Sequence, residues 1–392
     1  MSGHMAAGRH VETVEDLLMD SVVVSLLGYV VPFLIILTIV VFVHEYGHYW
    51  VARRNGVRVD VFSVGFGKEL FGYTDRHGTR WRFSLIPLGG YVRMHGDADE
   101  TSATADSEAA LDPDSFPAKT VGQRMAIVFA GPAINFIFAI VVMALLFTFS
   151  GRPFAPAIVD ELTAGGAAEA SGLLVGDRIT AIDGTEVGSF AEVQEIVRVS
   201  ADVELLFAIE RDGSIIEVPV TPQFTEFDDR FGTTHKVGLI GVRTNQVEVR
   251  TVGPATAVVD AFGETWRIVA GTLTALGEMI AGSRSTEELG GPLRIAQMSG
   301  TIAADGIVPA IWFTAVLSIN LGLINLFPIP MLDGGHLVLY AIEAVRGKAL
   351  TERMQEYAFR FGLAMVLSLM VFATWNDLVN LKVIEFVSGL IS

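Results

Sequence analysis

Apolar and polar positions fall into blocks along the 392 residues, and four of the blocks are long and nearly unbroken. A helix needs about 20 apolar residues to cross roughly 30 Å of hydrocarbon. Residues 21–43, SVVVSLLGYVVPFLIILTIVVFV, meet that length, so residues 21–54 predict a first transmembrane helix with Pro32 as a candidate kink. Residues 124–149 predict a second span, residues 307–336 a third with an unusual end, and residues 358–378 a fourth. Between the first two, residues 59–96 change to short alternating runs around Tyr73–Gly78, the pattern of a β-hairpin. Residues 97–115 are acidic and small, a linker by composition. Residues 155–223 read as a soluble insert of short strands and helices. Residues 224–300 contain a strand at 235–242 and an amphipathic helix over 254–281, where Phe262, Trp266, Val269, Leu273, Leu276 and Ile280 recur at near-helical spacing. Glu264, Arg267 and Glu278 interrupt that run, so it predicts a surface-lying helix and not a span. Residues 1–20 read as a tag-like leader, and residues 337–357 as a cytoplasmic connection.

Charge gives the blocks a direction. Arg53, Arg54 and Arg58 follow the first span, Lys119 and Arg124 precede the second, and Arg346, Lys348 and Arg353 precede the fourth. The positive-inside rule places these on the cytoplasmic side, leaving the amino terminus, the insert and the carboxyl terminus outside. Hydrophobic residues make up 51% of the chain and the mean hydropathy is +0.49, which implies a mixed membrane and soluble protein. The net charge of −17 argues against nucleic acid as a partner, and the absence of cysteine excludes disulfides and cysteine-ligated zinc.

The first span ends in His44-Glu45-Tyr46-Gly47-His48, the form HExxH. On a helix, residues four apart share a face with roughly 5–6 Å between β-carbons, so two imidazoles can grip one metal ion. Glu45 then stands beside the ion as a general base, and the expected metal is Zn2+. Ionisable groups in a span are costly unless they face one another or a polar cavity.

The end of the third span, Asn325-Leu-Phe-Pro328-Ile-Pro330-Met-Leu-Asp333-Gly-Gly-His336, contains two prolines that break the helix. Broken backbone at membrane depth needs protein or a wet cavity beside it, which aims Asp333 inward as the third ligand. His336 is a rival, ranked below Asp333. Asn325 is open to two roles, hydrogen-bonding a substrate backbone or satisfying the broken helix. Ala130–Asn135, AGPAIN, reads as close helix packing with one buried amide. His77 and His95 read as solvated loop residues, His235 as an exposed strand residue, and His4 and His10 carry no function.

These stretches together resemble the site-2 protease family of intramembrane zinc metalloproteases. The resemblance rests on HEYGH, FPAKTVGQRMAIVFAGPAIN (Phe116–Asn135), GGPLRIA and NLFPIPMLDGGH, and the insert resembles a PDZ domain. It implies a polytopic α-helical membrane protein of about four transmembrane helices, with a membrane-associated β-hairpin and one inserted α/β PDZ domain. His44, His48 and Asp333 would bind zinc, and Glu45 would be catalytic. Asn325, Pro328 and the hairpin, with Gly65, Gly67 and Gly90, would contact the substrate. Substrates would be single-pass transmembrane proteins in the lipid of a bacterial inner membrane, such as anti-sigma factors or remnant signal peptides, with the PDZ domain periplasmic and the active site near the cytoplasmic face. Enterobacterial members carry two PDZ domains in tandem, whereas this chain shows one, whose ligand the resemblance does not supply. Two other readings remain: a membrane-anchored zinc protease of soluble or unfolded proteins, and a non-enzymatic PDZ scaffold.

Overall fold

A computed structural model describes residues 14–97, 112–228, 234–282 and 290–380. Most of the predicted leader and of the acidic linker lies outside these residues. The chain divides into two compact units, one of Met1–Met143, Ala261–Thr272 and Thr286–Ser392, the other of Ala144–Asp260 and Leu273–Ser285.

In the first unit, helix α1 (Val14–Arg54) runs unbroken through Pro32. Leu27, Val31, Ile35, Ile39, Phe42, Tyr46 and Trp50, spaced by three or four residues, form one exposed apolar stripe along it. Its other face buries Ile36 and Val40. Strands β1 (Val59–Thr74) and β2 (Arg80–Met94) follow, paired antiparallel. Both bend, so residues 61–64 of β1 lie between 90–93 and 80–83 of β2. The bend in β1 falls at Gly65 and Gly67, whose φ of 88° and 85° is left-handed and suits glycine. Phe62 and Trp81 stack at 4.3 Å, and both rings meet Tyr49, which fastens the hairpin to α1 one residue past His48.

Helix α2 (Val121–Phe149) begins in this unit and packs against α1 through glycine. A β-carbon on Gly47 would collide with the Ala130 carbonyl and come within 2.7 Å of Ile134. The two backbones can therefore approach closely only because Gly47 lacks a side chain.

The second unit holds short strands around a hydrophobic core. Its elements are β3 (Arg152–Phe154), β4 (Glu161–Leu162), α3 (Ala167–Ala170), β5 (Arg178–Ile182), β6 (Thr185–Glu186), α4 (Phe190–Val199), β7 (Leu205–Arg211), β8 (Ser214–Val220), β9 (Gln223–Asp228), β10 (Thr234–Leu239), β11 (Val242–Arg243) and β12 (Glu248–Arg250). A four-stranded sheet has the order β6-β5-β7-β8. Leu205, Phe207 and Ile209 alternate inward along β7, as a half-buried strand requires, and join Val159, Leu173 and Ile182 in the core. Ser189 caps α4 by accepting from the Glu192 amide at 3.4 Å. The strand expected over 235–242 is instead two elements, β10 and β11, because Gly241 takes a left-handed φ of 75° between them.

The remaining helices are α5 (Pro254–Ala281), shared between the units, then α6 (Pro292–Ala304), α7 (Ile307–Asn325), α8 (Asp333–Arg346) and α9 (Glu352–Asn380) in the first. Residues 337–357 are thus not simply a connection: α8 occupies their first part, stopped by Gly347 in a left-handed cap. Among the described residues four helices are long and apolar enough to cross a membrane, namely Leu27–Arg54, Val121–Phe149, Ile307–Asn325 and Arg353–Val379.

Candidate metal centre

His44 and His48 occupy successive turns of α1, and both are buried. Their Nε2 atoms lie 3.2 Å apart. Asp333, the first residue of α8, brings Oδ2 to 3.1 Å from His44 Nε2 and 3.5 Å from His48 Nε2. Local backbone sets that placement. After α7 the chain runs through Pro328 and Pro330 to Met331, whose φ of 84° is rare for a residue with a β-carbon. Gly334 and Gly335 then pass so close to the carbonyls of Leu326, Phe327 and Ile329 that any side chain there would collide.

The hydrogen bonds around the triangle decide what it can bind. His48 Nδ1 donates to the Ile127 carbonyl at 2.9 Å, which leaves the Nε2 lone pair of a neutral imidazole facing inward. His44 Nδ1 lies 3.3 Å from the Asn135 side-chain amide. Asn135 Oδ1 and Asp333 Oδ2 are the buried side-chain polar atoms without a hydrogen-bond partner among the described residues. Turning the Asn135 amide over places its oxygen on His44 Nδ1–H, which satisfies one orphan and fixes the His44 tautomer to match His48. The other orphan cannot be satisfied that way: two imidazole lone pairs and a carboxylate oxygen converge with no proton to share.

A cation resolves this convergence. Tetrahedral donors about 2.0–2.1 Å from one zinc ion stand roughly 3.3–3.4 Å from one another, and the observed edges of 3.1, 3.2 and 3.5 Å match. Gly131 clears the space: a β-carbon there would collide with His48 Nε2 and lie 2.9 Å from His44 Cε1.

The other predicted residues fall in different places. Glu45 faces β2, where a β-carbon on Gly90 would come within 3.5 Å of Glu45 Cγ. Gly90 therefore adjoins the expected base, whereas Gly65 and Gly67 belong to the bend of β1. Asn325 ends α7, and Pro328 is the exposed residue of the half-buried turn after it. His336 sits one turn along α8 and is not among the three donors that converge.

Two readings need correction. Asn135 does more than pack, because it contacts His44 and its carbonyl also accepts from Ser318 at 3.0 Å. His95 is no solvated loop residue: its ring is largely buried between Asp60 at 3.2 Å and Asp112 at 2.9 Å. Asp112 and Asp60 raise its pKa above the ordinary imidazole value against a smaller effect of burial. Gly131, Asn135 and the Ile127 carbonyl are the site components that sequence reasoning missed. The small-residue run AGPAIN hinted at the first two, and nothing in the sequence marked Ile127.

The chain resembles known proteins over most of its length. The description "Peptidase family M50" matches residues 32–369. The chain is 46% identical over 369 residues to a Rhizobium meliloti protein named "Putative zinc metalloprotease", covering 91% of this chain and 98% of the relative. It is 44% identical over 365 residues to an Agrobacterium fabrum protein of the same description, covering 91% and 97%. It is 37% identical over 392 residues to metalloprotease MmpA of Caulobacter vibrioides, covering 92% and 98%. With the family description matched over residues 32–369 and relatives of 37–46% identity covered along nearly their whole length, the chain belongs to peptidase family M50.

Proposed function

We infer that this protein is a zinc metalloprotease that hydrolyses peptide bonds within or beside the transmembrane segments of single-pass membrane proteins. The observation that carries the reading is the orphaned Asp333 oxygen facing two imidazole lone pairs, with the histidines on a helix of membrane-spanning length and Asp333 a short turn past the end of another. His44, His48 and Asp333 would hold the zinc. Zinc bound there would supply Lewis-acid polarisation of water and of the scissile carbonyl. Ile127 and Asn135 keep both imidazoles in the donor tautomer. Glu45 accepts the proton of the attacking water and passes it to the leaving amide nitrogen.

A transmembrane substrate must first lose its helix, because helical hydrogen bonds and side chains shield the carbonyl. The hairpin beside Glu45 offers main-chain partners to an unwound segment by strand addition, and Asn325 at the end of α7 and Pro328 in the turn after it stand on the path to Asp333. Phe66, Leu70, Phe71, Leu85, Ile86 and Leu88 are exposed around its bends, which suits contact with lipid. Residues 155–223, within the second unit, serve as the PDZ domain. The arginines after the first span orient the protein in a bacterial inner membrane, with that domain periplasmic and the metal near the cytoplasmic face.

The test is Glu45→Gln in the full chain with a membrane-tethered single-pass reporter. The variant is expected to keep stoichiometric zinc while cleavage falls by about 10²–10⁴-fold, the usual worth of a general base. Undiminished cleavage would end the proposal. Cleavage of a soluble unfolded protein in preference to the reporter would move the reading to a membrane-anchored protease of soluble chains.

A further inference from the structure

We propose that Arg124 and Glu343 are positioning residues for the metal centre, locking α8 to α2 in the one register that delivers Asp333 to the histidines. The inference rests on the zinc reading above.

Along α8, Asp333, His336, Tyr340 and Glu343 are spaced by three, four and three residues and so share one face. Along α2, Arg124, Ile127, Gly131 and Asn135 are spaced by three, four and four and share another. The two faces meet at both ends. At one end Asp333 reaches the histidines seated on Gly131. At the other, Arg124 Nη2 donates to Glu343 Oε1 at 2.7 Å, and the guanidinium lies 4.8 Å from the centre of the Tyr340 ring. Both charged side chains are about 15% exposed. Tyr340 in turn packs between His336 and Phe116, with ring centres 6.4 Å from each.

An ion pair so enclosed is a poor device for stability, since desolvation offsets much of its attraction, and its better-attested use is to fix register. Register is what this helix needs. The turn before α8 is held by isolated turn bonds only, Ile329 N–H to the Phe327 carbonyl at 2.7 Å and Leu332 N–H to the Ile329 carbonyl at 3.0 Å, and Val338, Ile342 and Val345 on another face of the helix are exposed. Ten residues of helix put Glu343 about 15 Å from Asp333. A tilt of about 10° pivoting at the Glu343 end would displace the carboxylate by roughly 2–3 Å, far beyond the ~0.2 Å tolerance of a metal bond. A slip by one turn, about 5.4 Å, would leave both buried charges unpaired, so the pair penalises the displacements that would dismantle the site.

The test uses full-length protein in detergent, following zinc loss to a chelator, thermal unfolding, and kcat and KM on the membrane-tethered reporter. Glu343→Gln and Arg124→Gln are expected to lose zinc about tenfold faster or more, with kcat reduced and KM within about twofold. The double exchange R124E/E343R is expected to restore zinc retention. Where a single variant does not fold, Arg124→Lys, which keeps the charge without the planar fork, decides on the same readout by losing zinc faster than wild type. Variants that unfold earlier but retain zinc like wild type in their folded fraction would overturn the positioning role. Wild-type protein that holds no stoichiometric zinc would overturn the zinc reading as well, so the two failures are distinguishable.

Discussion

Asp177 in the insert and Asp333 in the helical unit are treated in opposite ways. In the insert, Asp177 is 1% exposed, with both oxygens occupied: Arg211 donates to each at 2.7 Å, and the Leu174 amide adds a third bond at 2.8 Å. Burial pushes the Asp177 pKa up, but Arg211 and Leu174 outweigh it and hold the carboxyl below its ordinary value. In the helical unit, Asp333 Oδ2 has no donor among the described residues and faces two imidazole lone pairs. A carboxylate satisfied inside its own chain stabilises a fold; one left facing other acceptors is satisfied by something the chain does not contain. The contrast separates a structural charge from a ligand without reference to motif.

Variants can break the comparison. Asp333→Ala is expected to have the largest effect, removing stoichiometric zinc by elemental analysis and abolishing cleavage, a loss beyond the 10–100-fold typical of an outer partner. Zinc retained in that variant would show that the orphaned oxygen is no ligand. Gly131→Ala should come next. The added methyl occupies the space of the His48 ring, so metal affinity is expected to fall by about 10–100-fold in chelator competition while helix content by circular dichroism is unchanged.

Asp177→Ala should do the reverse. Amide exchange in β5 and β7 is expected to accelerate about tenfold or more as the Arg211 and Leu174 bonds are lost, with zinc content untouched. The smallest effect sharpens the comparison with a third arrangement, His95 between Asp60 and Asp112, a charged cluster completed within the helical unit itself. Its folded pKa is raised, so its contribution is fully present below the unfolded value of about 6.5 and is lost as pH rises through the folded value. The melting difference between wild type and His95→Gln should therefore shrink from pH 6 towards pH 9. A difference independent of pH would remove His95 from that role.

The sequence by itself determined whatever rests on spacing along one element. Spans follow from runs of apolar residues, the hairpin from alternation around 73–78, and the pairing of His44 with His48 from four residues of helix. Asp333 could be nominated by the two prolines before it, because broken backbone in lipid demands a polar surrounding. Its approach to the histidines closes a loop of nearly three hundred residues, which local periodicity does not describe. Tertiary structure alone decided that Gly131 makes room for the imidazoles, that the Ile127 carbonyl and Asn135 set their tautomers, and that α8 begins at Asp333. A missing side chain, a backbone carbonyl and an amide look alike wherever they occur in a sequence. They acquire a role only when another segment is packed against them, and that packing is a property of the whole fold.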